Sequence, residues 1–224
     1  MKSNESELLE RLRGFSVSQI SDALGPLHPV ESRIRPVDPM FRICGNARTA
    51  LCDPDDNLAV LHALAEAQKG DVLVISCSPH DNSAVWGELL SLEALSKGLA
   101  GTIVDGAVRD VSEFAAIGYP VFSRSNHARR ARKDGHGEHN VPVRCGSIVI
   151  RPGDVVVADI DGILAISASE VEGILRKVME VFNKESDIKE QISRGVGIVE
   201  ILGIKGRIKA KDGLGLDSGG RLKA

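Results

Sequence analysis

Three side chains in one short stretch can do chemistry together. They are Glu88, Arg109 and Asp110, within WGELLSLEALSKGLAGTIVDGAVRD at positions 86–110. Glu88 and Asp110 are hard oxygen donors, suited to Mg²⁺, an ion that keeps most of its waters. Arg109 carries a rigid guanidinium fork that fits a carboxylate or a developing oxyanion. Gly87, Glu88, Leu89 and Leu90 read as the start of a helix. Unpaired backbone N–H groups and a partial positive charge at such an end favour a carboxylate or phosphate. One reading is therefore a small anionic keto acid held by helix end, arginine and metal. The other is a surface ion pair of Arg109 with Asp110 beside an ordinary first-turn acid, since acids are common at helix starts.

The elements that must position these groups follow from periodicity. A helix opens at Gly87-Glu88, with Leu89, Leu90, Leu92 and Leu95 at helical spacing as its apolar face, and Lys97-Gly98 closes it. Gly101 to Val104 is a short strand of the kind buried on both faces. Asp105-Gly106 is expected to turn the chain, placing Arg109-Asp110 at the strand's carboxyl end, where ligands sit in open α/β folds. Upstream, residues 4–13 and Ser16 to Leu24 read as helices, the second capped by Ser16 or Ser18 and stopped by Gly25-Pro26. His28 to Arg42 reads as a loop with a short edge strand, and Ile43 to Leu51 as a strand. A turn at Asp53-Pro54-Asp55-Asp56 is expected to cap a helix over Leu58 to Gln68, and Val72 to Ile75 reads as a buried strand. The polar loop Ser78 to Ser83 offers His80, Asp81 and Asn82 as candidate substrate contacts.

Downstream, Val111 to Ile117 is predicted helical and Tyr119 to Phe122 a strand. Arg124 to Asn140 is basic and irregular. It reads either as a mobile loop steering an anionic substrate or as a solvated surface loop whose Arg129, Arg130, Arg132 and Lys133 bind RNA or nothing. Gly135 and Gly137 argue against a helix that would bring His136 and His139 together as metal ligands. Strands are expected at 141–143, 147–150, 155–158 and 163–166, the last two joined by a turn at Asp159 to Gly162. Asp22, Asp159 and Asp161 are read as capping or turn acids rather than ligands. A long helix runs from Ala168 to about Arg194, capped by Ser167 or Ser169. The segment 196–204 reads as a strand or docking segment, and the final stretch DGLGLDSGGRLKA as flexible. This gives one domain over 1–194 and a C-terminal extension over 195–224.

Composition removes several classes. The chain has 224 residues, a net charge of −3 and 3% aromatics. The near-neutral charge disfavours a nucleic-acid binder, and scarce aromatics disfavour a base-stacking platform. No apolar run is long enough for a membrane span, and the N-terminus has no apolar core of a secretory signal, so a cytoplasmic location is expected. Cys44, Cys52, Cys77 and Cys145 lack metal-ligand spacing and are expected to be reduced, buried small residues. A glycine-rich cofactor loop is absent after the first strand, which speaks against methyltransfer to a quinone.

The DGAVRD motif ending in Arg109-Asp110, together with Glu88, resembles the 4-hydroxy-4-methyl-2-oxoglutarate aldolase / RraA-like family (RraA, regulator of ribonuclease activity A). The likeness spans roughly Ser16 to Ser167 and includes SDAL at 21–24, GDVLV at 70–74 and PGDVVVADIDGILAI at 152–166. It implies an α/β fold with a layered sheet flanked by helices, of the swivelling phosphohistidine-domain type, in a homotrimer or homohexamer. It also implies a divalent-metal-dependent lyase that cleaves a 4-hydroxy-2-oxo acid to pyruvate, with oxaloacetate decarboxylation as a side activity. Asp110 would ligate Mg²⁺ (or Mn²⁺ or another divalent cation) directly and Glu88 through water. Gly87 to Leu90 would hold the substrate carboxylate, and Arg109 the oxyanion. The motif holds no lysine for a Schiff base. The alternative within the same resemblance is a non-enzymatic RraA-like regulator that binds a ribonuclease or another protein. Glu88 favours the enzyme. The long tail and the 124–140 loop depart from the family pattern and leave the keto acid open.

Overall fold

The structure, a computed structural model, describes residues 2–77 and 82–204. Its compact units are Met1–Met179 and Glu180–Ala224. The first is built on a mixed sheet flanked by helices. The helices are α1 (Lys2–Arg13), α2 (Val17–Leu24), α3 (Leu58–Glu66), α4 (Glu88–Lys97), α5 (Val111–Ile117) and the opening turns of α6 (Val171–Ser193). The strands are β1 (Arg35–Pro36), β2 (Ile43–Leu51), β3 (Val72–Ser76), β4 (Ala84–Trp86), β5 (Gly101–Val108), β6 (Val121–Asn126), β7 (Glu138–His139), β8 (Val143–Cys145), β9 (Ile148–Ile150), β10 (Val155–Asp159) and β11 (Gly162–Ile166). The main sheet runs β1-β6-β5-β3-β2-β10-β11, with β4 on β5 and β7 on β2, while β8 and β9 form a separate hairpin. Strands β2, β3, β5 and β6 are parallel, and β10 and β11 complete the sheet antiparallel.

Strand alternation divides the core. In β10, Val155 and Val157 face α1, α2 and α6, whereas Val156 and Ala158 face the larger core formed with α3 and the β8–β9 hairpin. The central strands β3 and β5 are buried along their whole length, as their continuous apolar sequences predict. At Ser16 the expected cap forms a full capping box with Gln19. Asp159 serves the fold as expected: its two oxygens accept the Val17 and Asp161 amides at 2.9 Å. Asp22 and Asp161 are solvent-facing. All four cysteines are free; Cys44, Cys77 and Cys145 are buried and Cys52 half-buried.

Three expectations change. Asp105-Gly106 does not turn the chain, because β5 continues through it to Val108. Asp105 is fully buried, pairing with Arg124 and accepting the Gly146 amide at 2.7 Å. The carboxylate thus joins β5 to β6 and to the β8–β9 turn. On α4 only Leu90 of the four leucines packs against the core, half-buried; Leu89, Leu92 and Leu95 are exposed, and Ser91 and Ala94 are buried. The Ser91 hydroxyl accepts the Trp86 indole N–H at 2.7 Å and donates to the Gly87 carbonyl, so a small polar residue takes the inward position. Finally, 198–201 is a short helix, α7 (Ile198–Ile201), in the second unit rather than a strand. The DGLGLDSGGRLKA stretch lies outside the described residues.

The basic segment after β6 is tied down rather than mobile. Its backbone runs beside β4, with the Ala84 amide donating to the Arg129 carbonyl (2.7 Å) and the Ala131 amide to the Ala84 carbonyl (3.1 Å). It also meets the 53–57 turn, where the Asn57 amide donates to Arg132 and the Arg132 amide to Asp55. Asp56 Oδ2 accepts the Asp134 and Gly135 amides at 2.8 and 2.9 Å, and Asp53 accepts the His136 amide. Asp56 also caps α3, as expected of this turn, accepting the Leu58 amide at 2.8 Å. Burial raises the Asp56 carboxyl pKa, but these amides outweigh it and hold the group below the usual carboxylate range. His139 stacks on His62 with ring centroids 5.6 Å apart, so it is a packing residue on β7.

Two stability predictions follow from these buried acids. Glu31 is 1% exposed and accepts the Arg33 and Ser147 amides at 2.6 Å. Burial raises its pKa, but the bonds win and lower it from 4.5 to about 2. The stabilisation is complete above pH 4.5 and is lost as pH falls towards 2. Linkage makes it on the order of 3 kcal/mol. In urea unfolding, Glu31→Gln should lose stability at pH 7 and show a shallower pH slope than wild type between pH 4.5 and 2; parallel slopes would refute this. Asp56→Ala should cost roughly 1–3 kcal/mol and deprotect the Asp134 and Gly135 amides in hydrogen exchange. Unchanged protection would mean that other contacts hold the segment.

Candidate functional site

Glu88, Arg109 and Asp110 meet at the carboxyl ends of parallel strands β4 and β5. Arg109 is fixed from behind by its amide, which donates to the Trp86 carbonyl at 3.0 Å. Asp110 sits at the start of α5 in the left-handed region, φ 58° and ψ 39°, a conformation that aspartate tolerates better than most residues. Its Oδ2 accepts the Glu88 amide at 3.2 Å and lies 3.4 Å from Arg109 Nε. The first amide of α4 is therefore held by Asp110. A Cβ on Gly87 would fall 2.7 Å from Asp110 Oδ2 and 3.0 Å from Arg109 Cγ. Only glycine admits the pair this close to the helix start. Both side chains remain over one-third exposed, so the pair faces solvent rather than the core.

This pair borders two recesses. One, of about 270 Å³, is lined by Gly87, Leu89 and Leu90 from α4, by Trp86, and by Asn57, Arg130 and Lys133. The other, of about 440 Å³, opens towards Ser112, Asn126 and His127. The smaller one concentrates charge: among the described residues that line it, Arg109, Arg130 and Lys133 accompany one carboxylate, Asp110. A cleft with this excess attracts anions. Its size lies below the ~300–1,000 Å³ typical of sites for drug-sized ligands, which fits a small acid.

Of the residues singled out in the sequence, Gly87, Glu88, Leu89, Leu90, Arg109 and Asp110 come together here. Asn82 is exposed, and His80 and Asp81 lie outside the described residues. Asn57, between the expected turn and helix, was not singled out in the sequence, yet it lines the cleft. Nothing in its local pattern marks it, because β2, β4 and the 129–133 segment bring it there through non-local pairing. Arg130 and Lys133 were visible as a basic cluster without a location.

The donor set fits a hydrated divalent ion. Among the described residues no three His, Cys, Asp or Glu side chains converge as a closed metal cage. A hard carboxylate at the cleft wall suits Mg²⁺, which commonly takes one or two carboxylates and fills its shell with water and substrate oxygens. Asp110 supplies that carboxylate; Glu88 stands in the first turn of α4, with its backbone amide 3.2 Å from Asp110 Oδ2.

Comparison with known proteins identifies the family. The profile of the RraA-like family, described as Aldolase/RraA, matches residues 17–165. A Halalkalibacterium halodurans protein named "Putative 4-hydroxy-4-methyl-2-oxoglutarate aldolase" is 38% identical over 177 residues, covering 79% of this chain and 84% of the relative. The crystal structure of an uncharacterized protein from Pseudomonas syringae pv. tomato superposes with a TM-score of 0.78 at 28% identity, covering 87% of this chain and 92% of that one. The RNA-processing inhibitor RraA from Thermus thermophilis superposes with a TM-score of 0.62 at 29% identity, covering 68% and 92%. Among the described residues no helix is long and apolar enough to cross a membrane. The match of the family profile over residues 17–165 and the 38% identical relative place the chain in the RraA-like family.

Proposed function

We propose that the chain is a carbon–carbon lyase that cleaves a small 4-hydroxy-2-oxo acid, of the 4-hydroxy-4-methyl-2-oxoglutarate type, to pyruvate and a second keto acid. The observation that carries the reading is the Arg109–Asp110 pair, packed against Gly87 at the mouth of a small cationic cleft. Arg109 binds the substrate's 2-oxo acid end and stabilises the negative charge that develops on the keto oxygen. Gly87 keeps backbone and guanidinium close enough to share that end of the substrate. A divalent cation (Mg²⁺ or Mn²⁺), held by Asp110 and supported by Glu88, supplies Lewis-acid polarisation of the keto group when bound.

The 4-hydroxyl proton passes to water in the cleft, and the C3–C4 bond breaks as C4 becomes a carbonyl. The electron pair is received as the enolate of pyruvate, which takes a proton at C3. Arg109 holds the enolate oxygen throughout. Oxaloacetate enters the same sequence with loss of CO₂ in place of the carbonyl fragment, so its decarboxylation accompanies the main reaction. In this reading the chain works as a homotrimer or homohexamer, and the exposed Leu89, Leu92 and Leu95 are apolar side chains available for such contact. Similarity to the Thermus RraA, described as an RNA-processing inhibitor, supports a second reading as a protein-binding regulator.

Pyruvate release from 4-hydroxy-4-methyl-2-oxoglutarate and from oxaloacetate separates the two. With Mg²⁺ present, wild type should release pyruvate from both, EDTA should stop it, and Arg109→Ala and Asp110→Ala should each lower the rate ~10²–10³-fold. Folded wild-type protein that releases none from either acid would favour the regulator.

A further inference from the structure

We infer that Cys52 and Cys77 form a redox site, a thiol pair on neighbouring strand ends that exchanges with a small-molecule disulfide and closes to a Cys52–Cys77 disulfide. Neither residue lines the cleft beside Arg109 and Asp110, and the inference goes beyond the lyase reading.

Strand pairing brings the two cysteines together. Strands β2 and β3 run parallel, and their last pair is Leu51 beside Ser76. The Cys52 amide donates to the Ser76 carbonyl at 2.9 Å, so the chain beyond β2 stays against β3 for one more residue. Cys52 therefore stands beside Cys77. Neighbouring strands lie about 4.7–4.9 Å apart. Disulfides span Cα separations of about 4.4–6.8 Å, so the bond can close with little backbone movement.

The side chains meet as well. The Cys77 thiol is held well above its usual range, first by a hydrogen bond to the Cys52 sulfur and then by burial. On its other flank Gly106 of β5 leaves it room: a Cβ there would fall 3.0 Å from Cys77 Cβ and 3.4 Å from its Sγ. Cys77 is buried and Cys52 half-buried, so a disulfide in solution meets Cys52 first. The other cysteines are placed differently. Cys44 belongs to the core on the far side of β10, with its thiol 3.6 Å from the Leu9 carbonyl. Cys145 is fully buried on β8, where burial pushes its thiol up.

The exchange has two steps. The Cys52 thiolate attacks one sulfur of a disulfide RSSR. The S–S bond of RSSR breaks, a Cys52–S–SR bond forms, and the released thiolate takes up the proton that Cys52 gave. The Cys77 thiolate then attacks the Cys52 sulfur, forms the Cys52–Cys77 bond and releases a second RSH, which carries the Cys77 proton. The protein is oxidised by two electrons and RSSR is reduced to two thiols. The order is built in. Capping Cys52 removes the largest cause that keeps Cys77 protonated, so Cys77 becomes the nucleophile only after Cys52 has reacted. Cys52 adjoins Asp53, whose carboxylate holds the His136 amide. The closed bond would fasten this end of the basic segment's anchor to β3.

The test uses the full chain, reduced and freed of reductant, with excess glutathione disulfide as the probe. Mass spectrometry of the intact protein and of its peptides reads the product. Wild type should lose two hydrogens, keep no glutathione and yield one linked peptide pair joining Cys52 to Cys77, and dithiothreitol should reverse the change. Cys77→Ala should stop after the first step, with one glutathione on Cys52. Cys52→Ser should react at least about tenfold more slowly, because its remaining thiols are buried. Folded wild type that keeps glutathione on Cys52 without closing, that links either residue to Cys44 or Cys145, or that stays reduced overturns the pair. These outcomes are read on wild type, so they stand even where a variant fails to fold. Pyruvate release enters none of them, so failure of the lyase reading and failure of the redox pair are told apart.

Discussion

The close approach at Gly87 is the constraint on which the site depends. The carboxylate of Asp110 sits on the first amide of α4, and the stem of Arg109 passes within the space a β-carbon would fill. This contact joins the ends of β4 and β5 and the starts of α4 and α5 in one place. The left-handed backbone at Asp110 turns its carboxylate towards α4 rather than into its own helix, where it makes no cap bond. Aspartate stands here at a position that glycine would occupy more easily.

A second set of acids builds the opposite wall. Asp53, Asp55 and Asp56 crowd one turn of the sequence. In the fold their oxygens accept amides and a hydroxyl: Asp53 and Asp56 hold the 134–136 backbone, and Asp55 takes the Ser83 hydroxyl at 3.1 Å. Negative charge spent on backbone N–H groups is unavailable to an ion. The result is a fixed basic segment beside a cleft lined, among the described residues, by one carboxylate, Asp110. Deeper in the sheet, Asp105 does the same for β5, β6 and the β8–β9 turn, so the first acid of DGAVRD supports the fold while the last lines the cleft.

Much of this was legible in the sequence because it is local. Strands β2, β10 and β11, helix α5 and the Ser16 cap follow from period, capping chemistry and turn residues within a few positions. The gathering of Gly87, Glu88, Arg109 and Asp110 was legible through the helix–strand spacing and the motif. What failed was decided at long range. Leucines at helical spacing on α4 predict a buried face, yet Trp86 and the β-sheet select Ser91 and Ala94 as the inward side chains. Asp105-Gly106 has turn composition, but pairing with β3 and β6 keeps it extended. Asn57 and the location of Arg130 depend on isolated bridges between segments far apart in the chain, which no local pattern encodes.

The most direct test of the central claim is equilibrium binding of oxalate, a planar mimic of the pyruvate enolate, measured by titration calorimetry in the presence of Mg²⁺. The account predicts one oxalate per chain in wild type, and binding weakened at least about tenfold in Gly87→Ala, because the added Cβ would displace Asp110 and Arg109. Equal affinity in wild type and Gly87→Ala, with both folded, would contradict the claim that this close approach makes the keto-acid site.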